Sequence, residues 1–307
     1  MRYAIAVLLA AVLFGTTGTS QALGPADTTP FSVGAVRLTI GGTLLGVIAF
    51  ALSARTPRRA DAEPRRRIDL RSGLLMAATG ASLWLYQPLF FFGAERNGVA
   101  VGTVVALGSA PVMAGLLEWA ITRRRPTTVW IGATASATMG VALLAFGGGG
   151  AAGADPLGLL ASLGAGASFA IIANAQRRLL DDGWDPFTVV GAMGVTSAIP
   201  AIVSLPFLDI GWLASSHGVV TALWLGVATL AAAYAMFTWG LSGLTAATAA
   251  TLTLGEPLTA ALLGVIVLGE QLSALAIAGI IVLAAGLTLL AWGSRAKRDP
   301  APFAIEA

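Results

Sequence analysis

The 307-residue sequence has no cysteine and a single histidine, His217. Those scarcities exclude disulfide frameworks and thiolate nucleophiles, and with one histidine they leave next to no material for zinc clusters or a serine–histidine–aspartate site. Charge is also scarce. Charged residues make up 11% of the chain, against about 25% in an average soluble domain. Hydrophobic residues reach 56% and the mean hydropathy is +0.83, and uncharged stretches of about 20 residues recur from end to end. The bilayer is therefore the expected solvent. An isoelectric point near 9.9 would point to nucleic acid in a soluble protein, but here the basic residues sit in short loops between apolar runs, where they set orientation. No nucleic-acid partner, cofactor or metal is expected.

Ten apolar runs are long enough to cross a membrane: 3–22, 33–54, 72–94, 98–121, 128–146, 157–179, 186–206, 218–241, 246–268 and 274–293. Their continuous apolarity favours helices over the roughly 10-residue alternating strands of a barrel. With the amino terminus inside, the cytoplasmic side collects Arg2, the group from Arg55 to Arg71, Arg123 to Arg125, Arg177 and Arg178, and finally Arg295, Lys297 and Arg298. Outside stands Arg96, with Arg37 inside the second run. This asymmetry predicts both termini in the cytoplasm, with 294–307 a cytoplasmic tail.

The first run, "MRYAIAVLLAAVLF" followed by "SQA", also has the form of a signal peptide. An internal repeat argues for keeping it. "GTTGTS" at 15–20 has a counterpart in "GAGASF" at 164–169, and "PFSVGA" at 30–35 one in "PFTVVGA" at 186–192. Aligned without gaps, 98–146 and 244–292 share Pro111/Pro257, Gly140/Gly286 and an "LLA" at 143–145 and 289–291. Five runs per half is an odd number, so the second copy enters the membrane upside down, as in secondary transporters. The expected fold is all-α integral membrane, ten transmembrane helices as two inverted five-helix repeats. The first repeat occupies 1–146 and the second 157–293, joined by the Gly-rich linker "GGGGAAGADP" at 147–156.

In "TLTLGEPLTAALLGVIVLGEQLS", 251–273, Glu256 and Pro257 fall about 15 Å along the ninth span, near the bilayer midplane. A carboxylate there costs roughly 2.5–3.5 kcal/mol unless it faces water or a partner. Pro257 removes a backbone donor, and Pro111 lies at equivalent depth in the fourth span. Two interrupted helices at the midplane are the expected substrate site, with Glu256 binding a proton or a substrate amine. The first repeat has Ala110 where the second has Glu256, so any charge role is one-sided. Trp84, Tyr86 and Gln87 on span three, Tyr234, Thr238 and Trp239 on span eight, and Thr16, Thr19 and Ser168 on spans one and six are candidate substrate contacts. Read as structure alone, each is an ordinary packing residue. Glu118 is expected to reach the inner surface beside "RRR", Arg37 to reach headgroups or Glu95, and Glu270 with Ser273 to form a turn and cap.

The segment 255–290, with Glu-Pro, then Leu-Gly-Glu, then a Gly-rich helix, resembles the end of an EamA-type domain of the drug/metabolite transporter superfamily. "TTPFSVGAVRLTIGG" at 28–42 resembles that family's second span. In the first copy Ala110-Pro111 and "TRRRP" replace the Glu-Pro and Leu-Gly-Glu elements. The resemblance implies a carrier in a bacterial inner membrane that exports amino acids or related metabolites by alternating access. It places Glu256, Pro257, Pro111 and Glu270 in coupling or structural roles and specificity at Tyr86 and Tyr234. Its partners are a small molecule, the lipid bilayer and, as a candidate coupling ion, the proton; oligomeric state stays open between monomer and homodimer. The alternatives are a multidrug or sugar-type permease of the same fold and, more remotely, an intramembrane lipid-acting enzyme, for which the sequence offers neither nucleophile–base pair nor metal ligands.

Overall fold

The computed structural model describes residues 1–55, 68–147, 155–269 and 271–293. The basic loop 56–67, most of the Gly-rich linker, Glu270 and the tail 294–307 lie outside the described residues. Ten helices are long and apolar enough to span a membrane: α1 (Arg2–Ala22), α2 (Pro30–Leu52), α3 (Leu70–Gly98), α4 (Val101–Thr122), α5 (Thr128–Phe146), α6 (Pro156–Asp181), α7 (Pro186–Phe207), α8 (Ser216–Leu241), α9 (Ala246–Leu268) and α10 (Ala274–Trp292). They match the ten runs within a few residues, and no strand occurs among the described residues.

Local chemistry sets the helix ends. Asp155 and Asp185 accept N–H bonds from the first turns of α6 and α7, each followed by a proline that has no donor to lose. The Leu157 N–H, then that of Gly158 and the charge of Arg96, hold the Asp155 carboxyl below the ordinary carboxylate range. Asp69 and Ser72 form a reciprocal capping box at α3, and Ser273 caps α10 through the Ala276 N–H at 3.1 Å, as the sequence predicts. Gly98, at φ 81 and ψ 152, turns α3 directly into α4. Only glycine adopts that backbone without strain.

Swapping the halves (α1 for α6, α2 for α7, and so on) carries the most extensively packed helix pairs onto one another. The α2–α7 and α5–α10 pairs map onto themselves, while α1 against α8 and α9 maps onto α6 against α3 and α4. At α5–α10 the correspondence holds residue by residue. Gly140 rests on the Leu283 backbone and Gly286 on the Ala137 backbone, where an added Cβ would lie 2.8 Å from the Ala137 nitrogen. The shift that aligns 98–146 with 244–292 carries one contact onto the other. With five helices in each half, the two copies run in opposite senses across the membrane.

Small residues at crossings let backbones approach in a solvent that gives apolar side chains no reason to leave it. Large apolar side chains point outward instead: Phe50 is 75% exposed, Ile266 76% and Phe207 85%.

Two spans depart from regular helix. Residues Trp224–Ala232 of α8 are π-helical, and α9 is interrupted at Thr253 and Leu254 between Ala246–Leu252 and Gly255–Leu268. Pro257 has no N–H to offer Thr253, whose carbonyl accepts instead from the Glu256 N–H at 2.9 Å. The break expected in α9 is present. The matching break expected in α4 is not, because its backbone stays helical through Pro111.

Candidate functional site

Where the irregular stretches of α8 and α9 face the other helices, they enclose a cavity of about 50 Å³. Its polar lining comes from Arg37 of α2, Tyr86 and Gln87 of α3, Tyr234 of α8, and Thr253 and Glu256 of α9. Phe14 and Phe169 close it from α1 and α6, and Ala110 lines it from α4, at the position that corresponds to Glu256. Each half thus contributes aromatic and polar groups. The second half contributes the acid and the first half the base.

Arg37 is placed by the π-helical stretch. Its Nη2 donates to the Thr229 carbonyl at 3.0 Å, and its Nε is buried with no partner among the described residues. Widened turns leave carbonyls available to side chains and recur at functional sites. The expectation that Arg37 reaches headgroups or Glu95 is corrected here, since its guanidinium turns inward to α8 and the cavity. The clue was its depth, seven residues and about 10 Å into a span, where an unpaired cation is costly.

Tyr234 is fixed by edge-to-face contact with Phe14 (centroids 5.0 Å) and with Phe237 (6.2 Å). Tyr86 stacks on Phe90 at 5.8 Å. The aromatic bodies are therefore held while the hydroxyls stay free to bond. Among the described residues, the Tyr86 and Tyr234 hydroxyls, the Gln87 amide and the Glu256 carboxylate have no hydrogen-bond partner in the protein, and Arg37 and Glu256 form no direct ion pair. Buried polar groups in native proteins almost always have partners. Several polar ends converging on one cavity leave room there for water or a ligand to complete them. No group of three or more His, Cys, Asp or Glu that could hold a metal occurs among the described residues.

The remaining sequence candidates sit elsewhere. Thr16 bonds the Leu13 carbonyl at 2.7 Å and accepts from Trp224 Nε1 at 3.0 Å, tying α1 to α8 off the cavity wall. Ser168 bonds back to the Gly164 carbonyl at 2.9 Å. Thr238 donates to Gln176 Oε1 at 2.8 Å inside the protein. Trp84 packs against the main core, while Trp239 is 37% exposed and tilts onto Tyr3. Thr19 is not among the lining residues. Pro257 and Pro111 are buried beside the wall, and Glu270 lies outside the described residues. Phe14, Phe169 and Thr253 line the cavity without having been singled out in the sequence, where nothing separates them from packing residues.

The family model of the EamA-like transporter family matches residues 1–146 and 156–292. The chain belongs to that family. It is similar to the uncharacterized transporter YwfM of Bacillus subtilis (strain 168), with 39% identity over 299 residues and 96% of each chain covered. A crystal structure of another protein, 18% identical, superposes with a TM-score of 0.77 over 95% of this chain and 97% of that one, which establishes a shared fold. The protein is a multi-pass membrane transporter and not an enzyme. A membrane transporter of this family implies a small-molecule substrate and a lipid bilayer around it.

Proposed function

We propose that the transporter exports small zwitterionic metabolites, amino acids or their analogues, from the cytoplasm by alternating access. The observation that carries this reading is the pairing of Arg37 and Glu256 on one cavity wall without an ion pair between them. A carboxylate ligand would complete Arg37, whose planar fork suits it, and an ammonium would complete Glu256. Tyr86 and Tyr234 offer rings for an apolar side chain and hydroxyls for orientation. A neutral sugar would give neither charge a direct partner, and a lone cationic drug would give Arg37 none.

In this reading residues 1–146 and 157–293 are the two halves that rock about the midplane cavity. The arginine-bearing end faces the cytoplasm of a bacterial inner membrane, by the rule that cytoplasmic loops concentrate Arg and Lys. The test is counterflow in proteoliposomes. Preloaded amino acid should accelerate saturable uptake of labelled amino acid, and sugars or quaternary amines should not compete. Competition by either of those classes, with none by amino acids, would overturn the substrate assignment.

A further inference from the structure

At the arginine-bearing end of the central cavity, three helices repeat the same order of residues. On α4, Ala110 lines the cavity, Ala114 is fully buried, and Glu118 lies one turn further on. On α6, Phe169 lines the cavity, Ala170 is buried, and Asn174 and Arg177 follow on the same face. On α9, running the other way, Ala247 and the buried Ala250 precede the lining residue Thr253. Ala114, Ala170 and Ala250 pack together as one cluster, so a layer of methyl groups lies about 9 Å along α9 from Glu256.

Beyond that layer, charged groups grip the α8–α9 turn from both sides. Arg177 Nη1 donates to the carbonyls of Leu241 (2.8 Å) and Leu244 (2.6 Å), and its Nη2 pairs with Asp181 at 2.7 Å. Glu118 Oε2 accepts the Ala247 N–H at 2.8 Å, which caps the start of α9. Glu118 thus sits at the arginine-bearing end, as its place before "RRR" suggests, and there it also caps a neighbouring helix. Asn174 Nδ2 ties α6 to the Ala114 carbonyl at 3.1 Å. The arrangement also keeps Arg177 Nε and Asp181 Oδ2 buried without partners among the described residues, beside a cavity of about 40 Å³. Charges buried in this way are poor stabilisers, and their best-attested use is to fix one of two arrangements.

We infer that Glu118 and Arg177 are positioning residues that latch the α8–α9 turn over the alanine layer, sealing the central cavity from the arginine-bearing end, and that the latch must open for the cavity to be reached from there. The inference rests on the alternating-access reading above, but its test needs no substrate. The chain lacks cysteine, so Thr253→Cys provides one thiol in the cavity of the full-length, reconstituted protein, and Arg123→Cys reports which face is the arginine-bearing one. A membrane-impermeant maleimide applied to that face should label Thr253→Cys slowly. Arg177→Met and Glu118→Leu should each raise the rate at least about 10-fold, with no change from the opposite face. An unchanged rate in both folded variants overturns the latch.

If those variants do not fold, Ala114→Cys with Ala250→Cys addresses the same layer. Oxidation to the disulfide should suppress residual labelling of Thr253→Cys from that face and reduction should restore it, whereas indifference to the cross-link overturns the seal. Failure of amino-acid counterflow alongside these labelling changes would remove the substrate reading and leave the seal standing.

Discussion

Helices α4 and α9 are counterparts in the two halves and carry prolines at matched positions, Pro111 and Pro257, yet α4 runs on as helix while α9 breaks. A proline removes one donor, and a helix inside a tightly packed bundle absorbs that loss. Around Pro257 more is changed. Gly255 weakens the helix, the Thr253 hydroxyl turns back to the Ala250 carbonyl at 2.7 Å, and the Glu256 N–H bonds three residues back. The break then carries Glu256 to the cavity, where α4 presents only Ala110. The asymmetry reverses about two helical turns along the sequence. Glu118 of α4 grips the neighbouring turn, and its counterpart in α9 is Gly264. The two copies share a scaffold and carry their carboxylates at different levels of it.

The comparison can be broken most severely at Glu256. Glu256→Ala should lower counterflow by about 30-fold or more, the scale of a lost buried charge partner, while Ala110→Gly on the matching wall should stay within about threefold. Next is the symmetric crossing of α5 with α10. Gly286→Leu or Gly140→Leu each forces a side chain into the facing backbone, an overpacking cost of about 1–3 kcal/mol, so both should lower the melting temperature by several degrees in a thermal-shift assay, and by similar amounts. A smaller effect belongs to the prolines. Pro257→Ala gives the broken segment a donor again and should slow turnover about three- to tenfold, whereas Pro111→Ala should leave it within about twofold. The smallest is Trp239→Ala on the outer surface, expected to change counterflow by less than about twofold.

The ten spans, the inverted repeat and the Glu-Pro break were legible because they depend on length, composition and spacing along the chain. Tyr86, Gln87 and Tyr234 were found through depth and side-chain type. Which way a residue faces was much harder to read. A helix apolar on every side gives no periodic stripe to fix its rotation, so Thr16, Thr238 and Trp239 stood at the right depth and turned out to face α8, Gln176 and the outer surface. Arg37 and Glu118 were read by their nearness to an end. The Arg37 guanidinium bonds Thr229 and the Glu118 carboxylate bonds Ala247, 192 and 129 positions away, and those partners are brought near only by the fold. The π-helical stretch of α8 has no counterpart in sequence pattern, since Trp224–Ala232 reads as an ordinary apolar run.

The most direct test of a cavity that reads two charges is calorimetric titration of the purified transporter with a transported amino acid and with its decarboxylated and deaminated analogues. Arg37→Met should abolish the preference for the amino acid over the amine, and Glu256→Gln its preference over the carboxylic acid, each by about 30-fold. Equal affinities of the wild-type protein for all three ligands, unmoved by either substitution, would contradict the account.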